Sequence, residues 1–240
     1  GRKSVIPSNF LKKKNSKIFT IHIQDPKVSF KNFDAIVAPD HDNLKGDNIY
    51  TSKGAIHYIT EEEISKAKEY LVDKIKSKKI VSLILGGPNK YYSFKSDQIV
   101  NIFNKIKSIF VSDGYKVIII PSMRTPKKII DLAIREIGSC GYVVNKVDKQ
   151  AYLSAYALAN YVIVTCDSTS MISEAATSGK PIFVAHMKAK RNNYRFKRFF
   201  ELFKQMGITR DLGEKIENWT YNKHNEAQRI ALELKNKIAN

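Results

Sequence analysis

Short, β-branched apolar runs recur along this chain, and helical patterns separate them. The clearest runs are Ile80–Leu85, Lys116–Pro121, Tyr161–Thr165 and Pro181–Ala185. They are almost continuously apolar rather than alternating, as strands covered on both faces must be. Weaker runs at Lys17–Ile23, Ala35–Ala38 and Tyr142–Val144 extend the series. Helices are expected over Glu61–Ser77, Ser96–Ser112, Pro126–Ile137, Lys149–Ala159, Ser170–Ser178, Tyr194–Met206 and Glu226–Ile238. Strands and helices in regular alternation call for parallel sheets with right-handed crossovers. The predicted fold class is therefore α/β.

The pattern also divides the chain. Residues 1–60 carry two or three strands with loops, which is too little for a complete doubly wound domain. A partial N-terminal Rossmann-like domain is expected there, with a linker and helix over 61–78. Residues 79–220 carry about five strands and read as a self-sufficient second domain. The last segment, 221–240, holds a helix with Asn225 as candidate N-cap and Gln228 as its capping-box partner. Its apolar residues form one narrow stripe, so it needs a docking surface, and the first domain is the candidate. The chain starts Gly1-Arg2-Lys3-Ser4 without Met, so an upstream part of the first domain is expected to be missing. A stray tag residue at position 1 is the alternative.

Charge is the compositional outlier. Lys and Arg number 41 against 23 Asp and Glu, for a net charge of +18. Nucleic acid, an anionic membrane surface and anionic small ligands all fit such a balance. So does a surface of scattered, solvated lysines in a Lys-, Ile- and Asn-rich chain. Nucleic acid is the weakest of these, because no RNP, KH or zinc pattern accompanies the basic residues. No apolar run approaches the ~18 residues of a spanning helix, and no apolar signal segment follows the basic start. Cys140 and Cys166 lie in or beside predicted strands and read as buried free thiols. A reducing, cytoplasmic setting fits, with a peripheral position at the inner face of a membrane as the variant.

Four stretches carry candidate chemistry. Gly86-Gly87-Pro88-Asn89-Lys90 directly follows a strand. Paired glycines permit close backbone approach and unusual dihedrals, and their amides can form an anion site that Lys90 would reinforce. An ordinary turn is the competing reading. Ser122-Met123-Arg124-Thr125-Pro126 again joins a strand end to a helix start. Arg124 and Thr125 there would suit a phosphate, or would simply be solvated and capping residues. Asp167-Ser168-Thr169-Ser170 leads into a helix bearing Glu174, a carboxylate able to accept two neighbouring hydroxyls. Finally, no acid occurs from Ala185 to Phe200, a stretch holding Lys188, Lys190, Arg191, Arg195, Lys197 and Arg198. Its phenylalanines keep helical spacing and are expected in the core.

Other chemistries lack their motifs. The five histidines make no metal spacing with Cys or one another, and no metal or cofactor is called for. There is no G-x-S-x-G elbow, Walker A loop or G-x-G-x-x-G. His41 and Asp42, in a loop after a strand, and Asp25 are weak candidates for a general base.

Taken together, these stretches make the chain resemble the mitochondrial-fission family of plant "elongated mitochondria" proteins. The family's bacterial members are often labelled predicted nucleoside-diphosphate-sugar epimerases. The resemblance rests on Gln24-Asp25-Pro26, Pro39-Asp40-His41-Asp42, Gly54-Ala55, Leu85-Gly86-Gly87-Pro88, Ser122 to Pro126, Thr165 to Pro181, Arg195 to Phe199, and Trp219. Two departures stand out. The family usually has Arg where this chain has Met123, and Asn-Pro where it has Gln150-Ala151 before Tyr152. It normally also carries a further N-terminal stretch.

The 165–181 segment is similar, more distantly, to the C-terminal half of the GT-B N-acetylglucosaminyltransferase of cell-wall synthesis. These resemblances imply a GT-B-like fold of two Rossmann-like domains around a cleft. They imply a nucleotide-sugar, or another nucleotide diphosphate, as ligand or substrate. Glu174 would hold the ribose and Gly86-Gly87 would meet the diphosphate. Arg124, Arg191 and Arg195 would stabilise a leaving diphosphate in a metal-independent glycosyl transfer. The alternative the family implies is a non-catalytic adaptor that binds a protein partner or anionic membrane.

Overall fold

The computed structural model describes residues 2–239. The chain divides into two compact units, Gly1–Tyr58 with Asn225–Asn240, and Ile59–His224. The first unit begins with α1 (Val5–Lys14). It then forms a parallel sheet in the order β1 (Ile21–Ile23), β2 (Ala35–Pro39), β3 (Ile49–Ser52). Only β2 is buried along its whole length. Its Ile36 and Ala38 pack with Val5 and Phe33, while Ala35 and Val37 meet Ile230 and Leu234 of the C-terminal helix. Alternate residues of one strand thus serve two small cores.

The run expected to begin at Lys17 pairs only from Ile21. Upstream, Lys12 draws the chain into a turn: its ammonium meets the carbonyls of Ser16 and Ile18 and the carboxylate of Asp34.

The second unit contains α2 (Glu61–Lys66), β4 (Ile80–Leu85), α3 (Ser96–Ile106), β5 (Lys116–Pro121) and α4 (Lys127–Ile137). It continues with β6 (Gly141–Val143), α5 (Lys149–Leu158), β7 (Tyr161–Thr165), α6 (Thr169–Ala176), β8 (Ile182–Ala185), α7 (Tyr194–Gln205) and β9 (Thr209–Asp211). Its six strands are all parallel, in the order β6-β5-β4-β7-β8-β9. Counted from β4, that is the doubly wound order in which the winding reverses between the first and fourth strands. Here the reversal falls between β4 and β7.

Successive residues of each strand enter opposite cores. Ile84, Ile120, Val164 and Val184 face α5, α6 and α7, while Leu83, Ile119, Ile163 and Phe183 face α3 and α4. Burial on both faces explains why these strands read as unbroken apolar runs. The last helix, α8 (Ala227–Ala239), belongs to the first unit.

Several helix boundaries differ from the sequence reading, each for a local reason. The helix expected over Glu61–Ser77 stops at Lys66 and resumes as a tighter turn over Lys68–Lys74. The Ser154 hydroxyl enters there, donating to the Lys68 carbonyl at 3.0 Å and accepting from the Leu71 amide at 3.2 Å. α3 passes into a π-helical turn over Lys107–Val111. Pro126 is the N-cap of α4 rather than its first residue. A reciprocal capping box forms at Thr60 and Glu63, where the sequence reading found none. At the C-terminal helix Asn225 accepts from the Ala227 amide at 2.9 Å, an Asx turn.

One buried group in the first unit is a histidine. His22 is 2% exposed and packs on Phe33, and among the described residues its Nε2 has no hydrogen-bond partner. Burial holds its pKa below the ordinary histidine value. The unfolded chain therefore binds this proton first as pH falls, so stability present above the unfolded pKa is lost on acidification. Melts of wild type and His22→Leu between pH 7.5 and 5 test this. The wild-type Tm should fall further with acid than that of the variant; parallel curves would show that His22 contributes nothing.

Candidate functional site

In a parallel sheet every loop that follows a strand lies at the same end, and ligands of open α/β sheets bind there at the point of reversal. In this chain the Gly86-Gly87 loop follows β4 and Asp167-Ser168 follows β7, so both flank the reversal. The glycines are required by close approach. A Cβ on Gly86 would sit 2.1 Å from an Asp167 carboxylate oxygen, and one on Gly87 would sit 2.0 Å from the Arg124 carbonyl oxygen.

The anion that meets this loop is the protein's own. Asp167 is 3% exposed. Its carboxylate accepts from the Gly87 amide at 2.9 Å, the Thr165 hydroxyl at 2.7 Å and an Arg124 guanidinium N–H at 2.9 Å. Burial pushes the Asp167 carboxyl pKa up, and these three donors oppose the rise. The Gly86 amide donates to Thr165 Oγ1 at 2.8 Å, and Arg124 also donates to the Gly87 carbonyl at 2.8 Å. Thr125 braces the other side, with its hydroxyl 2.6 Å from the Gly86 carbonyl.

Asn89 closes the loop. Its side-chain Oδ1 accepts from the Tyr91 and Tyr92 backbone amides, and its Nδ2 donates to the Asp167 backbone carbonyl. Asn89 was not singled out in the sequence, although an Asx turn after Gly-Gly-Pro is a readable signal. Arg124 keeps a 40% exposed side chain, so it faces both the clasp and solvent.

Glu174 is placed differently. It lies on α6, which Ser168 caps by accepting from the Met171 amide at 3.4 Å. Ser170 is exposed in the first turn and Glu174 is half-buried. The Tyr152 hydroxyl donates to Glu174 Oε2 at 2.5 Å, and the Tyr156 hydroxyl donates to the Tyr152 oxygen at 2.6 Å. Burial raises the Glu174 carboxyl pKa, and the Tyr152 hydrogen bond opposes that rise. Burial holds both phenols well above their ordinary range, so they remain donors. The signal for this relay was the i, i+4 pair of tyrosines on α5, which puts both hydroxyls on one face.

The basic residues separate into two groups. An antiparallel bridge pairs Tyr92 with Ala189, and the Lys190 amide donates to the Tyr91 carbonyl at 2.7 Å. The loop after β4 and the loop after β8 are thereby joined. Lys90 and Arg191 both lie over the Tyr91 ring, at 5.0 and 5.7 Å from its centre. Arg195 stands in the first turn of α7, whose Phe196, Phe199 and Phe203 are in the core as expected.

Cys166, beside the site, is fully buried, and burial pushes its thiol up to about 12. In the first unit, Asp25 follows β1 and pairs with Lys27. His41 and Asp42 lie in the helical turn after β2, His41 buried and 3.9 Å from the Asp42 carboxylate.

The sequence matches the profile described as "Mitochondrial fission ELM1" over residues 1–238. The chain belongs to the mitochondrial fission ELM1 family. An uncharacterized protein of Rickettsia prowazekii is 28% identical over 271 residues, covering 96% of this chain and 76% of that protein. Mitochondrial fission protein ELM1 of Arabidopsis thaliana is 23% identical over 270 residues, and this chain spans 62% of its length.

Among solved structures, UDP-GlcNAc 2-epimerase from Methanocaldococcus jannaschii aligns with a TM-score of 0.54 at 12% identity, covering 97% of this chain and 74% of that one. MnaA of S. aureus, solved with UDP, gives 0.52 at 12%, covering 99% and 79%. A family 9 glycosyl transferase from Veillonella parvula gives 0.51 at 13%, covering 97% and 73%. The ELM1-family chain therefore has a GT-B-like α/β fold. Among the described residues no helix is long and apolar enough to cross a membrane.

Met123 is 89% exposed, whereas the neighbouring Arg124 is engaged with Asp167. Ala151 is buried in α5, and Tyr152 of the same motif contacts Glu174.

Asp167 is the buried partner, so removing Arg124 leaves a buried charge short of a donor and removing Asp167 leaves the Gly87 amide and the Thr165 hydroxyl without their acceptor, at a cost of about 3 kcal/mol. Asp167→Ala and Arg124→Ala should each lower unfolding free energy by ~3 kcal/mol, and the double variant by less than their sum. Urea titrations measure this. Strictly additive losses, or single losses below ~1 kcal/mol, would show that the clasp is not a unit.

Proposed function

We propose that this ELM1-family chain binds a nucleotide-sugar, or another nucleotide diphosphate, at the β4–β7 reversal, with Glu174 receiving the ribose. The observation that carries the reading is the state of Glu174. Tyr152 holds one carboxylate oxygen, and the half-buried group keeps the other oxygen for neighbouring hydroxyls. Tyr152 is the positioning residue for that carboxylate.

Around it, Ser168 and Ser170 at the start of α6, Lys90 and Arg191 about Tyr91, and the exposed part of Arg124 suit a diphosphate. Arg195 at the start of α7 adds charge. The GT-B-like fold and the UDP named for the S. aureus neighbour support this class of ligand. Metal-independent glycosyl transfer is the activity this arrangement serves, because cationic side chains and helix termini stabilise a departing diphosphate.

Titration calorimetry with UDP, GDP, ADP and CMP, and with pyrophosphate as control, tests the reading. One nucleotide should bind, and Glu174→Ala should weaken it at least tenfold while leaving pyrophosphate unchanged. Tyr152→Phe should weaken the nucleotide severalfold by freeing the carboxylate. Unchanged affinity in Glu174→Ala would overturn the ribose assignment.

A second reading, a non-catalytic adaptor, is favoured by one observation. The Gly86 and Gly87 amides are already spent on Thr165 and Asp167. Under this reading no nucleotide binds. The acid-free 185–200 segment would instead recruit a partner or anionic lipid, seen as salt-sensitive pelleting with anionic vesicles that Lys190→Ala and Lys197→Ala reduce.

A further inference from the structure

In the first unit, α1 carries its amphipathic pattern in reverse. Val5 and Lys12 are two turns apart, so they lie on one side of the helix and hold it to the unit. Val5 packs with Phe33, Ile36 and Ala38, and the Lys12 ammonium meets the Asp34 carboxylate at 2.9 Å. Ile6 and Phe10, one turn apart, stand on the other side and are 80% and 55% exposed. Leu11 is exposed on their flank. The helix therefore buries one valine and turns its larger apolar side chains outward.

Cations rim this apolar face. Lys13 and Lys14 follow Phe10 by three and four residues, which sets them beside it on the next turn. The Lys14 ammonium lies 4.7 Å from the centre of the Phe10 ring. Lys3 precedes Ile6 and Lys17 follows the helix end, and both are exposed. Among the described residues Lys13, Lys14 and Lys17 have no carboxylate partner. No Asp or Glu occurs from Gly1 to Gln24.

A single exposed apolar residue is ordinary, but a cluster of them rimmed by unpaired cations marks a surface that meets something. An anionic bilayer satisfies both parts of the pattern at once. The apolar side chains enter the boundary between headgroups and acyl chains. The long lysine stems follow them in while the ammoniums reach back to the headgroups. Each lysine held near such a surface strengthens binding about fivefold.

We propose that α1 is a docking face for an anionic lipid bilayer, with the helix lying along the surface and Ile6 and Phe10 inserted. The face shares no residue with the nucleotide site or with the 185–200 segment, and it depends on neither reading above.

Vesicle binding by the whole chain tests the proposal. The vesicles are phosphatidylcholine alone, equimolar phosphatidylcholine and phosphatidylglycerol, and the same mixture with brominated acyl chains. The chain's one tryptophan, Trp219, is in the second unit, so Phe10→Trp adds a reporter to the face and wild type is its control. Wild type should pellet with the anionic vesicles and stay in solution with phosphatidylcholine alone. The emission added by Phe10→Trp should shift to the blue and be quenched by brominated chains, while wild-type emission changes little. Ile6→Ser with Phe10→Ser, and Lys13→Ala with Lys14→Ala, should each weaken vesicle binding about tenfold or more. Lys190→Ala with Lys197→Ala should leave the Phe10→Trp quenching intact. The proposal is overturned if the Phe10→Trp emission is indifferent to brominated anionic vesicles. It is also overturned if Ile6→Ser with Phe10→Ser pellets as wild type does, since bulk charge elsewhere on the chain would then account for binding.

Discussion

The second unit is organised around a carboxylate it buries. Asp167 sits at the tip of β7 with almost no exposure, and its charge is met from three directions. Gly87 reaches it from the end of β4, Arg124 from the loop after β5, and Thr165 from its own strand. A charge taken out of water is tolerated only with such partners. The same contacts require glycine at 86 and 87, because side chains there would occupy the space of Asp167 and Arg124. Three strand ends are therefore locked in register before any ligand arrives. Such preorganisation spares a binding site the entropy of ordering its loops.

The two carboxylates of one short segment have different fates. Asp167 is spent on the scaffold, all its partners being internal. Glu174, on the helix that follows, is bound by a single phenol that is itself positioned by a second phenol. A carboxylate with one oxygen fixed and the other available is oriented without being satisfied. Two cations of the neighbouring loops are held by a ring: Lys90 and Arg191 lie on Tyr91, and Tyr91 packs edge-on against Phe196 of the core. Positive charge is thus carried at the strand ends by rigid parts.

Much of this fold was legible because burial on both faces leaves an unmistakable trace. β4, β5 and β7 have the bounds their apolar runs announced. β3 and β9 were missed, since Tyr50, Thr51 and Arg210 interrupt their apolar character and each strand is partly exposed. α1 was missed because its lysines obscure any stripe, and among its residues only Val5 is buried. The break after Lys66 was unreadable because its cause, Ser154, lies far along the chain.

At the candidate site, the residue types singled out loops that lie at one end of the sheet, but not their internal bonding. Gly86, Gly87 and Arg124 read as a place for an outside anion, and sequence cannot show that Asp167 already fills it. Glu174 was visible, whereas its partner Tyr152 was noticed only as the constant end of a varied motif.

The most direct test of the account is hydrogen–deuterium exchange of the whole chain alone and with each of UDP, GDP, ADP and CMP. With one of them the account predicts slowed exchange over 168–174 and 86–92, the two segments flanking the reversal, with residues 98–105 unchanged. No protection at any concentration, or protection confined to segments away from β4 and β7, would contradict a nucleotide site at this end of the sheet.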